Sequence, residues 1–252
     1  MRNLTLIILI LSTQYLVLGQ AGYFQQEVNT EISVLLNDKN NTLTGKEKIT
    51  YQNNSPSTLD SIVIHLWPNA YKNVDTELAK QKHESGSTII KYASLNERGY
   101  IDSLSFKIDG KPVKWNYYNK HIDVAILYLN KPLKTNEKIV IETPFFVKIP
   151  SGKFSRLGHV GQSYQITQWF PKPAVFDENG WHPLYYLDQG EFFSEFGSYD
   201  VKITLPENYV IMATGDLVDG EKELEFLNNK VKLTEEKIKN NALPTKDTFG
   251  RK

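Results

Sequence analysis

The sequence predicts an all-β fold, an antiparallel, multi-sheet, sandwich-like domain. Three observations predict it: apolar residues alternate with polar ones at period two along most of the chain, turn-forming clusters of Asn, Asp, Gly and Pro recur between the alternating stretches, and a helical period is found only at residues 74–83. Period-two alternation sends successive side chains to opposite faces of a strand, so each stretch has one face to bury.

In chain order, Val28, Thr30, Ile32, Val34 and Leu36 share the first predicted face, and Asn-Asp-Lys-Asn-Asn at 37–41 closes that strand. Asn-Asn-Ser-Pro at 53–56 precedes a strand with Ile62, Ile64 and Leu66 on one face; the short helix at 74–83 sits in a polar insertion. Leu104, Phe106 and Ile108 lead into Asp109-Gly110, a hairpin signal, and Ile122, Val124, Ile126 and Tyr128 form the next predicted face, ending at Leu-Asn-Lys-Pro, 129–132. Residues 148–196 lose the alternation and concentrate aromatic residues among Gly, Pro, His and Gln, including Phe154, Tyr164, Trp169, Phe170, Trp181 and Tyr186. Such a segment either wraps a core or lines a recognition surface. Tyr199, Val201, Ile203 and Leu205 then stand opposite Asp200, Lys202 and Thr204, and Asp219-Gly220 marks a later turn. From residue 234 the apolar pattern fades, with no closing strand expected after it.

Composition narrows the function classes. Of 252 residues, 40% are hydrophobic and 23% charged, which is a globular composition long enough for a real core. Lys plus Arg and Asp plus Glu number 29 each, so no net basic field holds a nucleic acid, and none is expected as a partner. The absence of Cys removes disulfides, thiolate nucleophiles and sulfur-ligated zinc.

Arg2, the apolar run from Leu4 to Leu11 and the small residues Val17 and Gly19 have the pattern of a signal peptide spanning 1–19, with cleavage before Gln20 and export to the periplasm, the cell surface or the medium. The run is too short to span a bilayer; retention as an uncleaved anchor is the alternative.

The five histidines, at 65, 83, 121, 159 and 182, show no close ligand spacing, and no nucleophile elbow, phosphate loop or dinucleotide fingerprint is present. His65 reads as a packed strand residue and His121 as surface. Carboxylate pairs occur at Asp177–Glu178 and at Glu191 and Glu195, but nothing in their spacing makes either pair converge on a substrate. No catalytic residue is assigned.

Three segments in order carry a resemblance. The opening stretch from Tyr23 to Tyr71, the run "YQITQWFPKPAVFDENGWHP" at 164–183 and the run "SYDVKITLPENYVIMATGDL" at 198–217 resemble the N-terminal β domain of the aminopeptidase N family of gluzincin zinc metallopeptidases, in a secreted bacterial branch. The resemblance covers roughly residues 23–217. It implies a saddle-shaped β domain over 20–233, forming one wall of a peptide-substrate cleft, and a polar tail over 234–252 leading toward a catalytic domain in the same chain. Zinc and the H-E-x-x-H helix would lie in that following domain, so zinc is expected in the full-length enzyme and no cofactor in the 252 residues. The family's T-Q-x-x-P motif falls on Thr167-Gln168-Trp169-Phe170-Pro171, which gives Gln168 the role of accepting from the substrate's α-ammonium. Some members carry a Glu two residues after the Gln, where this chain has Phe170. Asp177 and Glu178 match a Phe-Asp-Glu element and read as turn residues. The alternative from another class is a non-catalytic extracellular β-sandwich that binds glycan or protein; a degenerate remnant of the enzyme is a third.

Overall fold

A computed structural model describes residues 23–190, 192–240 and 242. The expected leader at 1–19, its cleavage point and Glu191 lie outside the described residues, as does most of the expected tail beyond Asn240. The described chain is mostly strand, in several sheets, with two α-helices, as the predicted all-β class requires. It divides into two compact units between Ile203 and Thr204.

In chain order the strands are β1 (Glu27–Asn37), β2 (Thr42–Gln52), β3 (Leu59–His65), β4 (Tyr100–Asp102), β5 (Lys107–Ile108), β6 (Lys111–Pro112), β7 (Lys114–Tyr118) and β8 (His121–Leu133). There follow β9 (Lys138–Lys148), β10 (Gly158–Val160), β11 (Ser163–Gln165), β12 (Lys172–Pro173), β13 (Phe176–Asp177), β14 (Gly180–Trp181) and β15 (Tyr199–Thr204). A seven-stranded sheet has the order β15-β1-β2-β9-β5-β6, with β4 also on β9. A four-stranded sheet runs β12-β3-β8-β7, and β10–β11 and β13–β14 are separate hairpins.

The large sheet is built on three eleven-residue strands in unbroken antiparallel register, Ile32 facing Glu47 and Glu47 facing Thr143. Its inner face is the one the alternation predicts: Val28, Thr30, Ile32, Val34 and Leu36 are all buried. The turn after β1 is made by Asn37, whose Oδ1 accepts from the amides of Lys39 and Asn40 at 3.1 and 3.2 Å, and by Asn41 in the left-handed region. Gly45 is required on β2 because a Cβ there would run into the Phe145 ring on β9 and the Ser33 carbonyl.

In the smaller sheet the prediction is half right. Ile62, Ile64 and Leu66 are buried, but so are Val63 and His65, because β3 is covered on both faces. On β8 Val124 of the predicted face is fully buried and Ile122 and Ile126 are half-buried, but Asp123, Ala125 and Leu127 of the opposite parity are buried too, and Tyr128 is exposed. The run Val124 to Leu127 is apolar at both parities, so alternation could not choose between faces. The expected turn at 129–132 lies inside β8 as an exposed irregularity, where the pairing jumps from Ser61↔Tyr128 to Leu59↔Leu133. The actual turn follows at 134–137, with Asn136 left-handed.

Thr76 caps the helix Glu77–Glu84, its Oγ1 accepting from the Ala79 amide at 3.3 Å, close to the expected 74–83. A second helix, Glu221–Lys239, was not expected. Its apolar residues Leu224, Leu227, Val231 and Ile238 are exposed. They recur three and four apart among charges, but the stripe is sparse enough to read as a fading pattern.

One polar residue ties the β2–β3 connection to β8. Asn53 is fully buried; its Nδ2 donates to the carbonyls of Ser57 (2.7 Å) and Leu133 (3.0 Å), and its Oδ1 accepts from Ser55 Oγ (2.6 Å), the Ser55 amide (3.1 Å) and Gln26 Nε2 (3.3 Å). Its backbone amide donates to Glu137 O (3.0 Å) and its carbonyl accepts from the Asn136 amide (2.6 Å). Every polar atom of Asn53 has a partner.

Candidate functional site

The irregular segment predicted at 148–196 carries the site. Between β11 and β12 the backbone is held by two aromatic anchors. Trp169 packs edge-on against Phe145 of the inner sheet face (centroids 5.8 Å apart), and Phe170 packs against Tyr199 (6.2 Å). Between them and the hairpin lies Gln168, half-buried, with φ of 54°. A left-handed Gln costs on the order of 1 kcal/mol and persists because its neighbours fix the loop.

The Gln168 side chain bonds to a cation rather than to the loop backbone: its Oε1 accepts from Lys172 Nζ at 3.4 Å. Lys172 opens β12, directly paired with His65 of β3, so the two side chains emerge side by side. Its Nζ also donates to Ser194 Oγ at 2.7 Å and stands 4.4 Å from the centroid of the Trp67 ring. His65 stacks on Trp67, centroids 4.4 Å apart, and the buried indole anchors itself by donating from Nε1 to Leu184 O at 2.9 Å.

No carboxylate forms an ion pair with Lys172 among the described residues. Loss of water around the amine pulls its pKa from 10.5 down to about 8. Burial first, and then the Lys172 charge, lower His65 to about 3, so that imidazole is neutral. Its Nε2 lies 3.3 Å from His182 O and carries the hydrogen, which leaves Nδ1 a buried acceptor without a donor.

Carboxylates stand nearby in other roles. Asp177 Oδ2 is 2.8 Å from His182 Nε2, and its Oδ1 accepts from the Asn179 amide at 2.8 Å. The His182 contact, with the Asn179 amide, holds Asp177 below the usual carboxyl range, and the second bond is the turn role expected for this residue. Glu178 is exposed. Glu195 is buried and accepts from the Phe176 amide at 3.0 Å, and burial raises its pKa. On the inner face of β2, Glu47 is buried with neither carboxylate oxygen partnered, and burial lifts its pKa well above 4.5. His121 is not the surface residue expected, since it stacks on Tyr185 at 3.8 Å. The five histidines do not converge, and among the described residues no three His, Asp or Glu side chains are grouped to hold a metal ion.

Sequence reasoning singled out Gln168 but not Lys172, Ser194 or Trp67, which surround it, nor the buried Glu47. Two signals were present. Lys172 is set between Pro171 and Pro173 in an aromatic-rich stretch, and Glu47 falls at the same parity as Leu43, Ile49 and Tyr51 on a strand with a buried face. As assembled, the cluster surrounds a primary ammonium with two oxygen acceptors and an aromatic face while leaving its charge uncancelled.

No protein-family model matches the sequence, and no curated protein matches it. Among solved structures, the chain is similar to the M1 zinc metallopeptidase from Deinococcus radiodurans, at 14% identity and a TM-score of 0.36, over 80% of this chain and 38% of that one. It is also similar to native leukotriene A4 hydrolase from yeast, at 10% identity and a TM-score of 0.36, over 72% of this chain and 23% of that one. The chain therefore spans less than half the length of either structure.

Proposed function

We propose that this chain is the cleft-forming N-terminal part of a secreted zinc aminopeptidase-like metallopeptidase that hydrolyses peptide bonds. The observation that carries the reading is the ordered set of three sequence segments resembling the aminopeptidase N family, with Thr167-Gln168-Trp169-Phe170-Pro171 at its centre. A half-buried Gln168 on a loop pinned by Trp169 and Phe170 fits a residue that presents an amide oxygen to a ligand. Zinc would be held by His and Glu residues of a following domain, where it would supply a metal-activated water; the residues described here position and recognise substrate.

Reading the transcript through and beyond codon 252 tests the proposal. Continuation into, or close adjacency to, a frame encoding an H-E-x-x-H helix is expected; its absence from the locus overturns the reading. The 252-residue chain alone should neither bind zinc at sub-micromolar affinity nor hydrolyse aminoacyl reporter substrates. In a reconstructed full-length enzyme, Gln168→Ala should lower kcat/KM for free-amino substrates by roughly 10- to 150-fold and spare N-acetylated ones. Equal loss on both would remove Gln168 from amino-terminus recognition.

A further inference from the structure

Gln168 is assigned to a substrate's α-ammonium, yet its Oε1 already faces an ammonium, that of Lys172, at 3.4 Å. Two cations cannot share one amide oxygen at that range without strong repulsion. The surroundings of Nζ match an ammonium: Ser194 Oγ at 2.7 Å, Gln168 Oε1 at 3.4 Å and the Trp67 ring face at 4.4 Å. Aromatic faces and neutral oxygens are the groups proteins use to hold ammonium ligands.

We propose that Gln168 Oε1, Ser194 Oγ and the Trp67 ring form a cage for a primary ammonium, that Lys172 fills it in the unliganded chain, and that a peptide's α-ammonium enters only when Lys172 leaves. The use by a peptide rests on the aminopeptidase reading; the cage and its resident occupant rest on the geometry alone. Exchange is feasible because Lys172 is held without a carboxylate, so no ion pair has to break for its side chain to swing to water. Its long, flexible stem is suited to such a swing, and the incoming ammonium takes over the three contacts that Nζ gives up. Lys172 would thus set a threshold on amino-terminus recognition, lost when its side chain is shortened.

The test uses the 252-residue chain at pH 7 with two probes, methylammonium and alanine amide, and N-acetylalanine amide as the uncharged control. Binding is followed by NMR of the Trp67 indole. Lys172→Ala opens the cage and should bind methylammonium and alanine amide at least about tenfold more tightly than the unmodified chain, with the acetylated control inert. Adding Gln168→Ala should abolish the gain, and Lys172→Met, which keeps the volume without the charge, should not show it. If Lys172→Ala does not fold, Lys172→Ser serves in its place. In the unmodified chain the Lys172 ε-methylene protons should be shifted upfield by the Trp67 ring. No methylammonium binding by a folded opened variant, or no ring-current shift, overturns the cage. Methylammonium binding without alanine amide binding overturns the exchange with a peptide, while the aminopeptidase reading is decided separately by the downstream frame.

Discussion

Asn53 is a buried polar side chain and Lys172 a half-buried one, and their surroundings treat them in opposite ways. Around Asn53 each donor meets an acceptor, and the amide joins the β2–β3 connection to the end of β8. Around Lys172 a charge is stripped of water with no carboxylate in reach, the adjoining His65 has a buried nitrogen without a donor, and Gln168 has a left-handed backbone. A satisfied network fixes one conformation, whereas an unsatisfied one gains by rearranging or by meeting a ligand. The difference separates a part of this fold that holds it together from a part left free to rearrange.

The contrast breaks first, and most strongly, at Asn53. Asn53→Ala removes the partner of two carbonyls, two N–H donors and a hydroxyl in a buried place, and should lower unfolding free energy by about 3 kcal/mol or more, measured by urea denaturation. A loss under about 1 kcal/mol would show that the hub is not structural. Lys172→Met should do the reverse. Because the folded pKa of about 8 lies below the ordinary 10.5, Lys172 favours the folded state fully only above pH 10.5, and that contribution disappears as pH falls through about 8. The Met variant should therefore be more stable at pH 7, on the order of 2 kcal/mol after allowing for partial solvent access, with the gain shrinking toward pH 10.5.

Glu47→Gln sharpens the comparison from the other sheet. Burial raises the Glu47 pKa, so its favourable contribution is complete below the ordinary value of 4.5 and is lost as pH rises through the raised value. Thermal melts across pH should show the Gln variant gaining over the parent at pH 7 to 8 and matching it at pH 4; parity at both would mean that Glu47 has a partner in solution. The smallest effect is expected at Gln168. Gln168→Ala loses one long bond to Lys172 and should change stability by less than about 0.5 kcal/mol, and a melt showing a larger loss would make it a packing residue.

The satisfied region was the more legible one in the sequence. β1 alternates strictly, and its buried face follows from Val28 to Leu36 without ambiguity. β8 was legible only in part because Val124 to Leu127 is apolar on both sides, and Leu-Asn-Lys-Pro reads as a turn although a register jump absorbs it inside the strand. The helix Glu221–Lys239 was hidden by its charge-rich composition. At the candidate site, motif resemblance pointed to Gln168. It gave no signal for Lys172, since a lysine in a loop reads as surface until β12 pairs it with His65 and turns it over Trp67. Long-range pairing of residues more than a hundred positions apart leaves no local period to read.

The most direct measurement is an NMR titration of the Lys172 ε-carbon, assigned by comparison with Lys172→Met, in the 252-residue chain. An unpaired, desolvated ammonium over Trp67 titrates at about 8, well apart from the surface lysines. A midpoint at or above 10.5 would mean that Lys172 is solvated or paired like any surface lysine, and the distinction between the satisfied Asn53 hub and the unsatisfied Lys172 cluster would be lost.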